Sequence, residues 1–183
     1  MRTVAAVLLV SVLAMASSPT ANALAAGLNR PVDQLDLQRY AGTWHEIAHL
    51  PMFFQRQCVD RITATYAKLP DGNIEVRNAC RTRKGTMDES VGVARPVEGS
   101  PGALQVRFAP GWLSWLPMVW ADYWVVDLDP GYQWAVVGGP SRKYLWILSR
   151  EPRMDRATFD RLTRRAAERG YSIEKLVMAA PVE

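Results

Sequence analysis

Cysteine and histidine are scarce in this chain of 183 residues, which contains two of each. These numbers exclude a multi-disulfide scaffold and the usual Cys/His zinc modules. The chain also lacks any block of five or six like charges. Its 22 basic and 18 acidic residues are scattered and give a formal charge of only +4. We therefore expect no nucleic-acid partner, because such binding needs clustered basic residues.

Signatures of catalysis are missing as well. The sequence shows no Ser-His-Asp order, no cysteine in a catalytic context and no carboxylate pair suited to acid–base chemistry. We therefore predict a protein that is not an enzyme and that needs no cofactor.

One segment matches a zinc-protease motif in letters only. Residues 45–49 read His-Glu-Ile-Ala-His, the H-E-x-x-H pattern that places two histidines on one face of a helix. Gly42 and Pro51 flank this segment and leave room for about two helical turns at most. On a strand, His45 and His49 would lie about 13 Å apart, too far to share one zinc ion. We predict no metal site, and we interpret both histidines as surface residues on the outer face of a strand.

The first 23 residues are predicted to be a secretory signal peptide. Arg2 precedes an apolar run over residues 4–15, and Ala21-Asn22-Ala23 is a typical cleavage site, with cleavage after Ala25 as the alternative. The run is shorter than the ~20 residues that a membrane span needs. We therefore expect an exported protein that is periplasmic or secreted, with a peripheral position at the outer membrane as an alternative. Because no cysteine lies near the cleavage site, we expect it not to be lipid-anchored. Residues 24–183 then form a single domain.

Export favours a disulfide between the only two cysteines, Cys58 and Cys80. The alternative is a pair of buried free thiols. A bond between them would close a loop of roughly 20 residues and add about 3 kcal/mol of stability.

Alternating hydrophobicity predicts an all-β domain. The segments with this pattern or with aromatic and β-branched enrichment are 42–49, 62–66, 74–78, 89–94, 104–108, 123–128, 134–137 and 144–149. Such a series indicates a sandwich or an antiparallel up-and-down barrel. One helix follows, with Asp155 as its N-cap and Gly170 as its stop, and residues 175–179 predict a short last strand.

Three ordered segments resemble the signatures of the lipocalins. Residues 42–44 read Gly-Thr-Trp, Asp129 lies between two late strands, and Arg150 ends the strand before the helix. The chain is closer still to the branch that includes outer-membrane lipocalins and apolipoprotein D. Residues 42–48 (Gly-Thr-Trp-His-Glu-Ile-Ala) and 144–150 (Tyr-Leu-Trp-Ile-Leu-Ser-Arg) carry that likeness. The middle signature of the family usually reads Thr-Asp-Tyr, and only its aspartate is present here, as Asp129.

The resemblance implies a closed eight-stranded calyx, with the C-terminal helix packed outside and a short last strand. In such a barrel, Trp44 plugs the closed end and Arg150 packs over its ring in a cation–π contact worth about 1–2 kcal/mol. Gly42 lets the backbone enter that corner. Gly42, Trp44, Asp129 and Arg150 are therefore expected to be structural residues.

The resemblance also implies an interior cavity for one small hydrophobic ligand, either a fatty acid or a lysophospholipid. Such a protein would store or transport its ligand. The predicted ligand-binding residues, in the cavity and at its mouth, are Glu46, Ala48, Phe53, Tyr66, Val76, Asn78, Val106, Phe108, Trp112, Trp115, Tyr123, Tyr144, Trp146 and Leu148.

A tryptophan-rich segment leaves alternatives open. Residues 110–120 contain Trp112, Trp115 and Trp120 and no charge, so they form either a lid on the barrel or a contact with a partner or membrane. The rival functions are a docking module that uses this segment and an enzyme on the same barrel that uses Glu46 and the histidines. A monomer and a homodimer are equally compatible with the sequence.

Overall fold

The computed structural model describes residues 29–113 and 115–183, so the predicted signal peptide lies outside the described residues. Within them, eight antiparallel strands form a closed barrel: β1 (Gly42–His49), β2 (Cys58–Lys68), β3 (Ile74–Thr82), β4 (Met87–Val97), β5 (Ser100–Arg107), β6 (Ala121–Leu128), β7 (Trp134–Gly138) and β8 (Trp146–Ser149). Each strand pairs with the next, and β1 pairs with both β8 and β2, which closes the sheet. The predicted up-and-down barrel is confirmed.

The antiparallel order gives the barrel two distinct ends. The mouth, where β1 finishes, holds four connections that we call the mouth loops: 50–57, 83–86, 108–120 and 139–145. The floor, where β1 begins, holds three connections that we call the floor turns: 69–73, 98–99 and 129–133. A one-turn helix, α1 (Leu37–Tyr40), precedes β1 at the floor, and Asp36 caps it by accepting from the backbone N–H of Gln38 and of Arg39.

The predicted C-terminal helix is confirmed as α2 (Arg156–Glu168). The Asp155 carboxylate accepts a hydrogen bond of 2.8 Å from the Thr158 N–H. Gly170 adopts a φ of +86° just after the helix, a conformation that favours glycine. The last strand, β9 (Val177–Met178), is shorter than predicted because residues 173–175 form a 3₁₀ turn. It pairs with β1 outside the barrel.

Two apolar clusters share the walls of the barrel. Inside, Tyr66, Val125 and Val137 belong to one cluster, whereas Val126 and Val136 on the same strands face α2 and belong to the other. This split follows from the alternation of side chains along a strand. Trp124 and Trp134 pack against the outer cluster.

Near the mouth, a disulfide joins Cys58 of β2 to Cys80 of β3, with a Cα–Cα distance of 5.5 Å. The predicted pairing is confirmed.

In the part of the chain that the structure describes, no helix has the length and apolar character needed to cross a bilayer.

Candidate ligand-binding cavity

The barrel encloses a cavity of about 640 Å³, within the range of small-molecule sites. It reaches the mouth loops, because Phe54, Gln57 and Val119 help to line it. The predicted site residues that line this cavity are Glu46, Tyr66, Val76, Asn78, Val106, Phe108, Tyr123, Tyr144, Trp146 and Leu148. The structure therefore brings these side chains around one space, and their role in binding stays a prediction.

The placement of Ala48 in the cavity was wrong. A β-bulge interrupts the pairing of β1 with β8, so that Glu46 lies opposite Leu148 while Ala48 lies opposite Ile147. The extra residue, Ile47, shifts the alternation by one position. Ala48 is fully buried in the outer cluster that faces α2.

Two predicted mouth residues do not line the cavity. Phe53 is 72% exposed, and its neighbour Phe54 lines the cavity instead, with its ring 5.9 Å from that of Tyr144. Both lie in a 3₁₀ turn, in which adjacent side chains point in different directions. Trp115 is 74% exposed and does not line the cavity, although it lies in a mouth loop as predicted, so its role in ligand binding stays a prediction.

Of the other two tryptophans in residues 110–120, the structure describes the side chain of Trp120 but not that of Trp112. Trp120 contacts two arginines, with the guanidinium carbons of Arg95 and Arg107 at 4.0 Å and 5.1 Å from its ring centre. Trp120 therefore packs against the barrel wall rather than over the cavity.

A buried polar cluster lies between the cavity and the mouth. The Glu46 carboxylate accepts hydrogen bonds from the Gln55 amide at 2.7 Å and 2.8 Å, and the His49 Nδ1 lies 2.5 Å from its Oε1. Trp146 donates to the amide oxygen of Gln55 at 3.3 Å. The prediction of His49 as a surface residue was wrong, because it is buried beside Glu46. The bulge explains this, since it returns residue 49 to the side of residue 46.

Sequence reasoning missed Gln55 as part of the site. Gln55 is buried and holds both carboxylate oxygens of Glu46, but it lies in a mouth loop outside any alternating segment. Hydrophobic periodicity carries no signal for such a residue. A polar residue between two aromatics and an arginine looks like an ordinary loop position.

Three tyrosines form a second polar cluster deeper in the barrel. The Tyr123 hydroxyl lies 2.8 Å from that of Tyr40 and 2.7 Å from that of Tyr66. Burial raises the pKa of all three phenols above the ordinary value, so they remain neutral at physiological pH. Their hydroxyls satisfy one another inside an apolar cluster.

The floor is closed as the resemblance implies. The guanidinium carbon of Arg150 lies 3.8 Å from the centre of the Trp44 ring, and the Trp44 indole N–H donates to the Tyr40 carbonyl at 2.8 Å. Gly42 has a φ of +94° beside Arg150. Asp129 accepts from the Gln133 N–H at 3.1 Å within the last floor turn.

Charge on the cavity wall has one sign. The lining residues of the described chain include the carboxylates Glu46 and Asp88 on inward-facing positions, and Glu89 and Asp122 at the edge, but no lysine, arginine or histidine. Among residues 29–113 and 115–183, no group of three or more histidine, cysteine or acidic side chains is arranged to hold a metal ion.

Comparison with known families and proteins agrees with this geometry. A family model described as a lipocalin-like domain matches residues 35–181. The chain belongs to the lipocalin family. It is 42% identical over 148 residues to temperature-induced lipocalin-1 of Arabidopsis thaliana, which covers 79% of this chain and 78% of the relative. It is 35% identical over 151 residues to outer membrane lipoprotein Blc of Vibrio cholerae, covering 81% and 84%.

Solved structures support the same fold. The lipocalin barrel described here superposes on the cockroach allergen Per a 4 with a TM-score of 0.65 at 21% identity, over 83% of this chain and 92% of the allergen. The sequence-based resemblance to lipocalins, and to their outer-membrane branch, is confirmed.

Proposed function

We propose that this lipocalin stores or transports one small hydrophobic ligand, either a fatty acid or a lysophospholipid, in its barrel cavity. Membership of the lipocalin family supports hydrophobic ligand binding in general terms. The observation that carries the proposal is the cavity of about 640 Å³, which combines apolar walls with polar side chains near the mouth. Burial of the ligand's chain against residues such as Val106 and Leu148 supplies the driving force, at about 25 cal/mol per Å².

Of the two ligand classes, the charge of the cavity favours a lysophospholipid. A fatty acid carries a carboxylate, which the buried carboxylate of Glu46 would repel. A choline or ethanolamine lysophospholipid has no net charge, because its phosphate and ammonium offset each other, and Glu46 and Asp88 would attract its ammonium end. The hydrogen bonds from Gln55 and His49 hold the Glu46 carboxylate in place and add to the orientation of such a head group.

We also propose that the protein is exported and acts in the periplasm or outside the cell. The apolar run at residues 4–15 and the Ala21-Asn22-Ala23 cleavage site support export. We propose further that the protein is not lipid-anchored, because no cysteine lies near the predicted cleavage site. Mass spectrometry of the purified protein tests both points.

A pair of matched variants tests the cavity as the binding site. Ala64 faces inward and lines the cavity, whereas Ala67 on the same strand is exposed. Ala64→Trp would fill part of the cavity and lower the affinity for a lysophospholipid at least about tenfold, the equivalent of about 1.4 kcal/mol. Ala67→Trp would leave the affinity unchanged. Native mass spectrometry and displacement of a fluorescent lipid measure both.

Equal binding by the two tryptophan variants would contradict the proposal, as would a wild-type barrel that retains no lipid and binds none. The proposal contains no catalytic step. Turnover of a lipid by the wild type, lost in Glu46→Gln, would favour the enzymatic alternative instead.

A further inference from the structure

Charged residues in the connections differ in sign between the two ends of the barrel. The basic residues of the mouth loops, which contain no acidic residue, are Arg56, Arg83, Lys84, Arg142 and Lys143. The acidic residues of the floor turns, which contain no basic residue, are Asp71, Glu98 and Asp129. The connections at the mouth are therefore basic, and those at the floor are acidic.

Acidic side chains at the strand ends near the mouth weaken this asymmetry only in part. Asp60 and Glu89 form ion pairs with Arg81 and Arg77 of β3 and so contribute little net charge. Asp88 and Asp122 remain. The mouth keeps an excess of positive charge after both are counted.

The same mouth loops expose apolar side chains. Among the described residues, the three most exposed large hydrophobics are Met118 at 85%, Trp115 at 74% and Phe53 at 72%. All three belong to the loops 50–57 and 108–120, and the second of these contains no charge. Exposed apolar side chains that cluster at one end of a protein mark an interaction surface.

We propose that the mouth loops dock this lipocalin, mouth first, on the anionic surface of a lipid bilayer. Basic residues such as Arg83 and Lys84 would face the negative head groups. Trp115 and Met118 would enter the interfacial layer, where tryptophan is favoured. A bilayer matches this combination because it offers negative charge and apolar depth across its whole surface.

Docking in this orientation places the cavity opening against the membrane. Phe54 and Tyr144 lie at this opening, and both belong to the mouth loops. A ligand could then pass between bilayer and cavity without crossing water. This last consequence rests on the proposed lipid-binding function, whereas docking itself rests only on the charges and exposures of the loops.

Vesicle flotation tests the proposal. Purified protein is mixed with vesicles of phosphatidylcholine alone, or of phosphatidylcholine with phosphatidylglycerol, at low and at high salt. Wild-type protein should float with the anionic vesicles, float weakly with the neutral ones, and lose most of its binding at high salt because of screening.

Two mouth variants separate the contribution of the basic residues from that of the apolar residues, and one floor variant serves as the control. Arg83→Ala with Lys84→Ala should weaken binding to anionic vesicles about 30-fold, or about fivefold for each basic residue removed. Trp115→Ser with Met118→Ser should weaken binding at least about tenfold. Lys68→Ala with Arg153→Ala, on exposed residues of the floor side, removes the same charge and should leave binding unchanged within about twofold. All variants share one N terminus, so any contribution from it cancels.

The results that would overturn the proposal are distinct from those that would overturn ligand binding. Equal losses in the mouth and floor variants, or absence of wild-type flotation, would refute docking. Binding of the mouth loops to a protein but not to vesicles would refute the bilayer as the occupant. Lipid binding in solution is measured on the same samples, so protein that floats but binds no ligand would refute the proposed function and leave docking intact.

Discussion

The guanidinium of Arg150 links the Trp44 ring to the backbone that closes the floor. Its guanidinium carbon lies 3.8 Å from the ring centre, and its nitrogens donate to the carbonyls of Ala41 and Thr43, each at 2.9 Å. A planar guanidinium can satisfy several carbonyls while it stacks on a ring, which an ammonium group cannot do. Because Arg150 also donates to the carbonyls of Arg39 and Tyr132, it joins α1, β1 and the last floor turn.

Arg150→Lys should therefore destabilise the protein although it preserves the charge. We expect the free energy of unfolding to fall by about 1–3 kcal/mol, because several hydrogen bonds and the stacking contact are lost. Urea denaturation followed by circular dichroism measures this. Arg153→Lys, on an exposed side chain, is the control and should change nothing. A similar effect of the two variants would show that the stacking contact has no special role.

Glu46→Gln should change which ligand the cavity prefers. Removal of the negative charge should raise the affinity for a fatty acid about tenfold, which corresponds to a repulsion of about 1.4 kcal/mol at an effective dielectric constant of about 20. Affinity for lysophosphatidylcholine should not rise. Displacement of a fluorescent lipid by each ligand gives both values.

Glu75→Gln serves as the control for this change, because Glu75 lies outside the cavity and pairs with Arg77. If the fatty acid binds equally to wild type and Glu46→Gln, the charge of the cavity does not select the head group.

The tyrosine cluster predicts a loss of stability at alkaline pH. Burial raises the pKa of Tyr40, Tyr66 and Tyr123 in the folded state, so above pH ~10 only the unfolded chain releases these protons. Stability from these groups is complete below their unfolded pKa and declines as the pH rises from there towards the folded pKa. Each tyrosine lowers the free energy of unfolding by about 1.4 kcal/mol per pH unit in that window.

Urea denaturation at a series of pH values above neutrality, together with the absorbance of tyrosinate, measures this decline. Tyr123→Phe removes one of the three groups and should give a shallower slope. It should also lower stability near neutral pH, because the hydroxyls of Tyr40 and Tyr66 lose their partner. A slope that is unchanged in the variant would show that the cluster does not control alkaline unfolding.

The disulfide between Cys58 and Cys80 should stabilise the protein chiefly through the unfolded chain. The two residues are 22 positions apart, and a loop of this length corresponds to about 3 kcal/mol. Cys58→Ala with Cys80→Ala should lower the free energy of unfolding by about this amount. A reducing agent should lower the stability of the wild type to the same level and leave the double variant unchanged. If the reducing agent weakens the variant as well, it acts by another route.

Strands and floor could be predicted from the sequence because their signals are local. Alternation marked 74–78 and 104–108, and the ordered signatures identified Trp44 and Arg150 as partners although they are far apart in the chain. The mouth could not be predicted in this way. Phe53 and Phe54 are the same residue type in adjacent positions, and only the 3₁₀ turn decides which one lines the cavity.

The exposure of individual tryptophans could not be predicted from the sequence either. Trp115 and Trp120 belong to the same uncharged segment, but one is 74% exposed and the other packs against two arginines from the barrel wall. Composition describes such a segment as a whole, whereas the contacts of each tryptophan depend on residues distant in the chain.

The bulge at Ile47 shifts the side-chain alternation of β1 by one residue. In a regular strand, residues 46 and 49 would point to opposite faces, about 10 Å apart along the chain. With one residue added, Glu46 and His49 share a side and their polar atoms come within 2.5 Å, while Ile47 and Ala48 are left to anchor α2. The inserted residue thus lets β1 both form the buried polar cluster and pack against α2. Deletion of Ile47 would restore strict alternation while it keeps Glu46 and His49 on one side, and it would leave Ala48 as the one residue between them that faces α2.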